Sequence, residues 1–152
     1  MSQTILVYNH HPKLQISPHY LKTKTEQIFT SLGLKDPGIE ITLVDDDFMT
    51  EQNERFMGKT GTTDVLSFPQ IEPKEINKPC LPEYENKYIG DVLISLDEAK
   101  RQADLQNIDL EQEVVFLILH SVLHLIGYDH ASEEQESQMQ ALESKVWNEL
   151  QN

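Results

Sequence analysis

The sequence predicts a single small α+β domain over residues 1–152, with four strands and helices both between and after them. Three observations carry that prediction. Four short runs rich in β-branched and aromatic residues are separated by segments with helical spacing of apolar side chains. Helical patterns follow the last strand as well as joining the earlier ones, the layout of a small strand-and-helix sandwich. VVFLILHSVLHLI (114–126) is apolar on nearly every face yet only 13 residues long. It therefore reads as a buried central helix and not as a membrane span.

The elements follow in order. TILVYNH (4–10) reads as the first strand. Ser17-Pro18 has the form of an N-cap followed by proline at the first helical position. Leu21, Ile28, Phe29 and Leu32 continue at helical spacing to Gly33, which predicts a helix over about 17–32. IEITLVD (39–45) alternates like a half-buried strand and runs into an acidic turn, Asp45-Asp46-Asp47. A short helix is expected over 48–57, ending near Gly58. TDVLSFP (63–69) is the third strand, stopped by Pro69. Residues 70–87, with Pro73, Pro79 and Pro82, read as a surface loop, and YIGDVLIS (88–95) as the fourth strand. Ser95-Leu96-Asp97-Glu98 has the capping-box form and opens a helix over 96–107. A further helix begins at Glu111 and stops at Gly127. Ser132-Glu133-Glu134-Gln135 is a second capping box, and Met139, Leu142, Val146 and Leu150 form the stripe of the last helix.

Composition narrows the class. At 38% hydrophobic and 25% charged residues the chain is an ordinary soluble globular one. The N-terminus, MSQTILVYNHHPK, lacks the pattern of a signal peptide, and the lone Cys80 has no partner for an internal disulfide, so a cytoplasmic location is expected. Twelve basic against 26 acidic residues give a net charge of −14, which argues against a general nucleic-acid coater. The charge is uneven. Residues 102–152 carry ten acids and one base, whereas residues 1–35 carry Lys13, Lys22, Lys24 and Lys35 against Glu26 alone. An anionic ligand is expected on the N-terminal part, with Lys22 and Lys24 as candidate contacts.

Three of the six histidines fall within HSVLHLIGYDH (120–130). His120 and His124 are one helical turn apart, so both imidazoles leave the same face of the helix. Gly127 can turn the chain back so that His130 closes on the same point. Three neutral nitrogen ligands then leave a fourth tetrahedral position for water, the pattern of a catalytic zinc. The alternative, individually satisfied core histidines, requires a separate partner for each imidazole on an apolar helix. The spacing equals that of metzincin peptidases, H-E-x-x-H-x-x-G-x-x-H, except that position 121 is Ser and not the catalytic Glu. Serine cannot take a proton from a metal-bound water. A phosphodiester asks less, because a metal can stabilise its leaving alkoxide as a Lewis acid.

Here the sequence resembles the YbeY family of metal-dependent endoribonucleases. The family signature is close to H-G-x-L-H-L-x-G-Y-D-H, and residues 120–130 match it except for Ser121. TDVLSFP (63–69) and IGDVLIS (89–95) match two further blocks, and the Asn53 segment and the helix with Met139 and Glu143 also look like the family. The likeness spans roughly residues 40–147. It implies a zincin-like α+β fold with a mixed four-stranded sheet, surrounding helices and a buried metal-binding helix. It further implies one zinc ion on His120, His124 and His130, with nickel, cobalt or iron also compatible with three imidazoles. The implied substrate is single-stranded RNA, in maturation of small-subunit ribosomal RNA and ribosome quality control, with no membrane partner.

One position departs from the family. Where members commonly have arginine in N-x-x-Y-R-G, NERFMG (53–58) has Met57, and Arg55 or Lys59 are the nearby candidates for the RNA contact. Asp64 and Asp91 lie in the matched strand blocks, as candidates to orient a histidine or handle a proton. Ser121 reads as packing, and His10 and His11 as exposed residues at a strand end. Two other functions stay open at this level: a non-cleaving ribosome assembly factor with a structural metal site, and a zincin-like peptidase with a displaced base.

Overall fold

The computed structural model describes residues 4–151. Its elements are β1 (Ile5–Asn9), α1 (Pro18–Leu32), β2 (Gly38–Val44), α2 (Asp46–Met57), β3 (Val65–Pro69), β4 (Tyr88–Ser95), α3 (Leu96–Gln106), α4 (Leu110–Leu125) and α5 (Glu133–Gln151). The strands form one sheet ordered β1-β2-β4-β3. β1, β2 and β4 run parallel, and β3 lies antiparallel to β4 at the edge.

Alternation along the strands decides what each face carries. Ile41 sits beside Val92 and Leu43 beside Ile94 in the β2–β4 register, and all four are fully buried. This face belongs to the main core, shared with α1, α4 and α5. On the other face, Val44, Leu66 and Leu93 join Met49 of α2 in a smaller cluster. The apolar run of α4 is buried as its composition predicts, with Val114, Ile118, Leu119, Val122 and Leu123 fully enclosed. Each such side chain contributes about 1.5–3 kcal/mol of burial. Gly90 lets α4 approach the sheet, since a Cβ there would lie 2.8 Å from Leu125 Cδ2.

Several local expectations are corrected. α2 begins at Asp46 because Asp45 is its N-cap, with Oδ1 accepting from Phe48 N at 2.9 Å. Asp46 and Asp47 then occupy the first turn, where the positive end of the helix dipole favours acids. Both predicted capping boxes are half made. Ser95 Oγ accepts from Glu98 N at 3.1 Å and Ser132 Oγ from Gln135 N at 3.2 Å. Glu98, however, turns to Arg101 at 3.0 Å, and the buried Gln135 Oε1 has no partner among the described residues. The loop over 70–87 is anchored, because its short 3-10 turn Leu81–Tyr84 inserts Tyr84 into the main core. His10 is exposed as expected, but the His11 side chain is buried against Asp97 at 2.9 Å. Its Nδ1 accepts from the backbone of Lys13 and Leu14, so its proton sits on Nε2 and is donated to Asp97.

Candidate metal centre

The end of α4 builds the site. Gly127, at φ +104°, takes the left-handed turn expected of a glycine after the helix. Gly127 N donates to His124 O at 3.0 Å, and Tyr128 N donates to Leu123 O at 2.9 Å. This is a Schellman closure. Its consequence reaches beyond the helix, because it brings Tyr128 O within 3.0 Å of His124 Nδ1.

A carbonyl oxygen can only accept, so His124 Nδ1 carries the proton of that bond. His120 Nδ1 is held in the same way by the carboxylate of Glu143, on α5, at 2.8 Å. With both Nδ1 atoms donating, both Nε2 atoms present lone pairs, and these two atoms face each other 3.0 Å apart. Two neutral imidazoles in those tautomers cannot hydrogen-bond to one another. A cation between them satisfies both, and two metal–nitrogen bonds of ~2.0–2.1 Å at a tetrahedral angle would place the nitrogens about 3.3 Å apart. His130 completes the group, and one ligand atom from each of the three histidines lies within 4.8 Å of the others. His120 and His124 are half-buried and His130 is exposed, so the group opens to solvent on one side. Burial, followed by the neighbouring His120, holds His124 below the ordinary imidazole range and keeps it in its neutral, ligating form. The three histidines can therefore hold a metal ion.

The orienting contacts to the two helical histidines come from Glu143 and the Tyr128 carbonyl. Asp64 Oδ2 instead accepts from Gln102 Nε2 at 3.3 Å, and its charge also acts on the buried Glu113. Asp91 lies on the sheet face opposite the main core, where it accepts from the Tyr88 hydroxyl. The sequence marks Glu143 only as part of a helix resembling the family, and nothing local marks its partnership with His120, 23 positions away. Ser121 is fully buried with its Oγ unpartnered among the described residues, so it packs into the core as expected.

The candidate RNA contacts fall on two parts of the surface. Arg55 and Lys59 are exposed at the end of α2, with the Arg55 guanidinium 5.2 Å from the ring centre of Phe56. Met57 is 50% exposed beside them, so its side chain makes no structural demand that excludes an arginine. Buried Asn53 donates to Gly61 O at 2.9 Å and ties this helix to the turn leading into β3. On α1, Lys22 lines a cavity of about 450 Å³ together with Glu26, while Lys24 lies over the Tyr20 ring.

Known proteins resemble this chain over most of its length. A family model described as Endoribonuclease YbeY matches residues 6–151. A protein named Endoribonuclease YbeY from Sulfurihydrogenibium sp. (strain YO3AOP1) is 39% identical, over 90% of this chain and 85% of its own length. One of the same name from Persephonella marina is 40% identical, over 82% and 76%. Among solved structures, TM1509 from Thermotoga maritima superposes with a TM-score of 0.59 at 26% identity, covering 97% of this chain and 92% of that one. With the family model spanning nearly the whole sequence and the three histidines gathered at the end of α4, the chain belongs to the YbeY endoribonuclease family.

Proposed function

We propose that this chain is a zinc-dependent endoribonuclease acting on single-stranded ribosomal RNA, in small-subunit maturation and ribosome quality control in the cytoplasm. Family membership supports the activity and the RNA substrate. The observation that carries the metal dependence is the pair of Nε2 lone pairs held face to face at 3.0 Å, each fixed by a partner on the opposite ring nitrogen. His120, His124 and His130 would hold the ion. The ion, when bound, supplies Lewis acidity toward a phosphoryl oxygen and lowers the pKa of a coordinated water toward ~7.

The remaining work falls to side chains of this chain. Glu143 and the Tyr128 carbonyl keep His120 and His124 in the tautomer that leaves Nε2 free, and they fix the ring planes. Asp64 and Asp91 are proposed as proton-handling carboxylates from the matched strand blocks alone, since in the fold they contact Gln102 and Tyr88 and neither touches a histidine. Arg55 and Lys59 at the end of α2, and Lys22 and Lys24 on α1, are the proposed phosphate contacts of an otherwise acidic molecule. Of the three candidate metals beside zinc, nickel, cobalt and iron also suit three imidazoles. Position 121 holds a buried serine, so the glutamate that serves as base in metzincin peptidases is absent from the helix.

The test pairs metal analysis of the purified protein with cleavage of a single-stranded ribosomal RNA fragment. Cleavage that stops on chelation and returns with zinc supports the reading. Cleavage indifferent to chelation contradicts it, and ribosome binding without cleavage favours the assembly-factor alternative.

A further inference from the structure

Two of the three metal-binding histidines have a partner that orients the ring, and the third does not. His120 is held by Glu143 and His124 by the Tyr128 carbonyl, whereas the exposed His130 ring has no hydrogen-bond partner among the described residues. What fixes His130 must therefore be its backbone. That backbone is the turn 127–130, and Asn77 grips it from the loop over 70–87.

Asn77 uses its main chain and both ends of its amide. Its N–H donates to Gly127 O at 3.0 Å. Its Oδ1 accepts from Asp129 N at 2.9 Å, one residue before His130. Its Nδ2 donates to Gln135 O at 3.0 Å and to Gln138 Oε1 at 2.8 Å, both at the start of α5. One side chain thus joins the turn that carries His130 to the helix that follows it. Asparagine suits the position, because its backbone sits at φ +61°, a left-handed conformation that asparagine tolerates better than most residues. The same loop also presses on the turn through Pro73, whose Cβ would lie 2.8 Å from a Cβ added at Gly127. Asp129 Oδ1 in turn accepts from His130 N at 2.7 Å, so the grip on Asp129 passes to the ligand by a direct contact.

We propose that Asn77 is a positioning residue for the metal centre, doing for His130 through the backbone what Glu143 and Tyr128 do for the other two ligands through their rings. This rests on the reading that the three histidines hold a metal. It assigns the 70–87 loop, which precedes the histidine segment by some forty residues, a part in metal affinity.

Cobalt affinity of the purified chain, measured by competition with a chelator, tests the proposal in a double-mutant cycle with His130→Ala. Asn77→Gly takes the left-handed backbone without strain and removes the side-chain bonds. It should weaken cobalt binding by about 10–100-fold with His130 present. In the His130→Ala background it should cost little more, because the ligand it positions is gone. Thermal unfolding of the metal-free proteins should show a similar drop for Asn77→Gly in both backgrounds, so that only the loss of metal affinity depends on His130. An equal loss in both backgrounds, or no loss in either, overturns the proposal. A parent chain that binds no cobalt overturns the metal reading itself. A parent that binds cobalt and loses affinity with His130→Ala, beside an indifferent Asn77→Gly, overturns the role of Asn77 alone.

Discussion

Glu143 of α5 and His120 of α4 meet at 2.8 Å, a carboxylate on a ring nitrogen across a helix–helix contact. The pair does two things for a metal site. It fixes the tautomer that leaves Nε2 unprotonated, and it raises the basicity of that nitrogen. It also ties α5 to the site, and α5 follows the turn bearing His130.

Glu143→Ala should accordingly weaken zinc binding by about 10–100-fold while leaving the three ligands in place. Glu143→Gln, which can accept from Nδ1 without the charge, should lose less. Chelator competition on the two variants measures both effects. Equal affinity in parent and Glu143→Ala would remove Glu143 from the site.

Part of this arrangement is legible in the sequence and part is not. The spacing of His120 and His124 and the position of Gly127 are local facts, and the helix, its stop and the convergence of His130 follow from them. The apolar run of α4 likewise announces its own burial. Glu143 and Asn77 are different. Each acts across a long stretch of chain, one as an acid among many and the other in a polar loop, and only the packing of α5 and the 70–87 segment gives them partners. The capping boxes show the limit at short range too. Ser95 and Ser132 cap as the pattern predicts, but the second half of each box depends on where Glu98 and Gln135 find competing company. Strand order falls in the same class, since nothing in TDVLSFP or YIGDVLIS states that β4 lies between β2 and β3.

Glu113 gives a pH prediction. It is only 3% exposed on α4, and burial, followed by the charge of Asp64, pushes its carboxyl up to about 7 from an ordinary value of 4.5. The folded chain then binds a proton that the unfolded chain has released, so this group's contribution to stability falls as pH rises from about 4.5 to 7. The loss is on the order of 3 kcal/mol when complete. Glu113→Gln should be more stable than the parent at pH 8 and close to it at pH 4. Denaturant unfolding at the two pH values checks the sign, and a variant less stable at pH 8 would contradict the assignment.

The α2 terminus gives a prediction about RNA. A charge-assisted bond from an arginine to phosphate is worth roughly 1.5–3 kcal/mol, or about 10- to 150-fold in binding or rate. Met57 cannot make one, while Arg55 is exposed nearby. Met57→Arg should raise cleavage of single-stranded RNA by part of that range if Arg55→Ala is silent. A severe loss in Arg55→Ala with no gain in Met57→Arg would instead assign the contact to Arg55. No effect from either removes this segment from the RNA path.

Metal stoichiometry of the three single variants decides whether the histidines act as one centre. The parent should purify with, or take up, about one zinc per chain, and His124→Ala should lose it along with a part of its thermal stability, because binding energy is coupled to the folded state. His120→Ala and His130→Ala should weaken the same single site. One full equivalent of metal retained at parental affinity in His124→Ala would contradict the three-histidine centre.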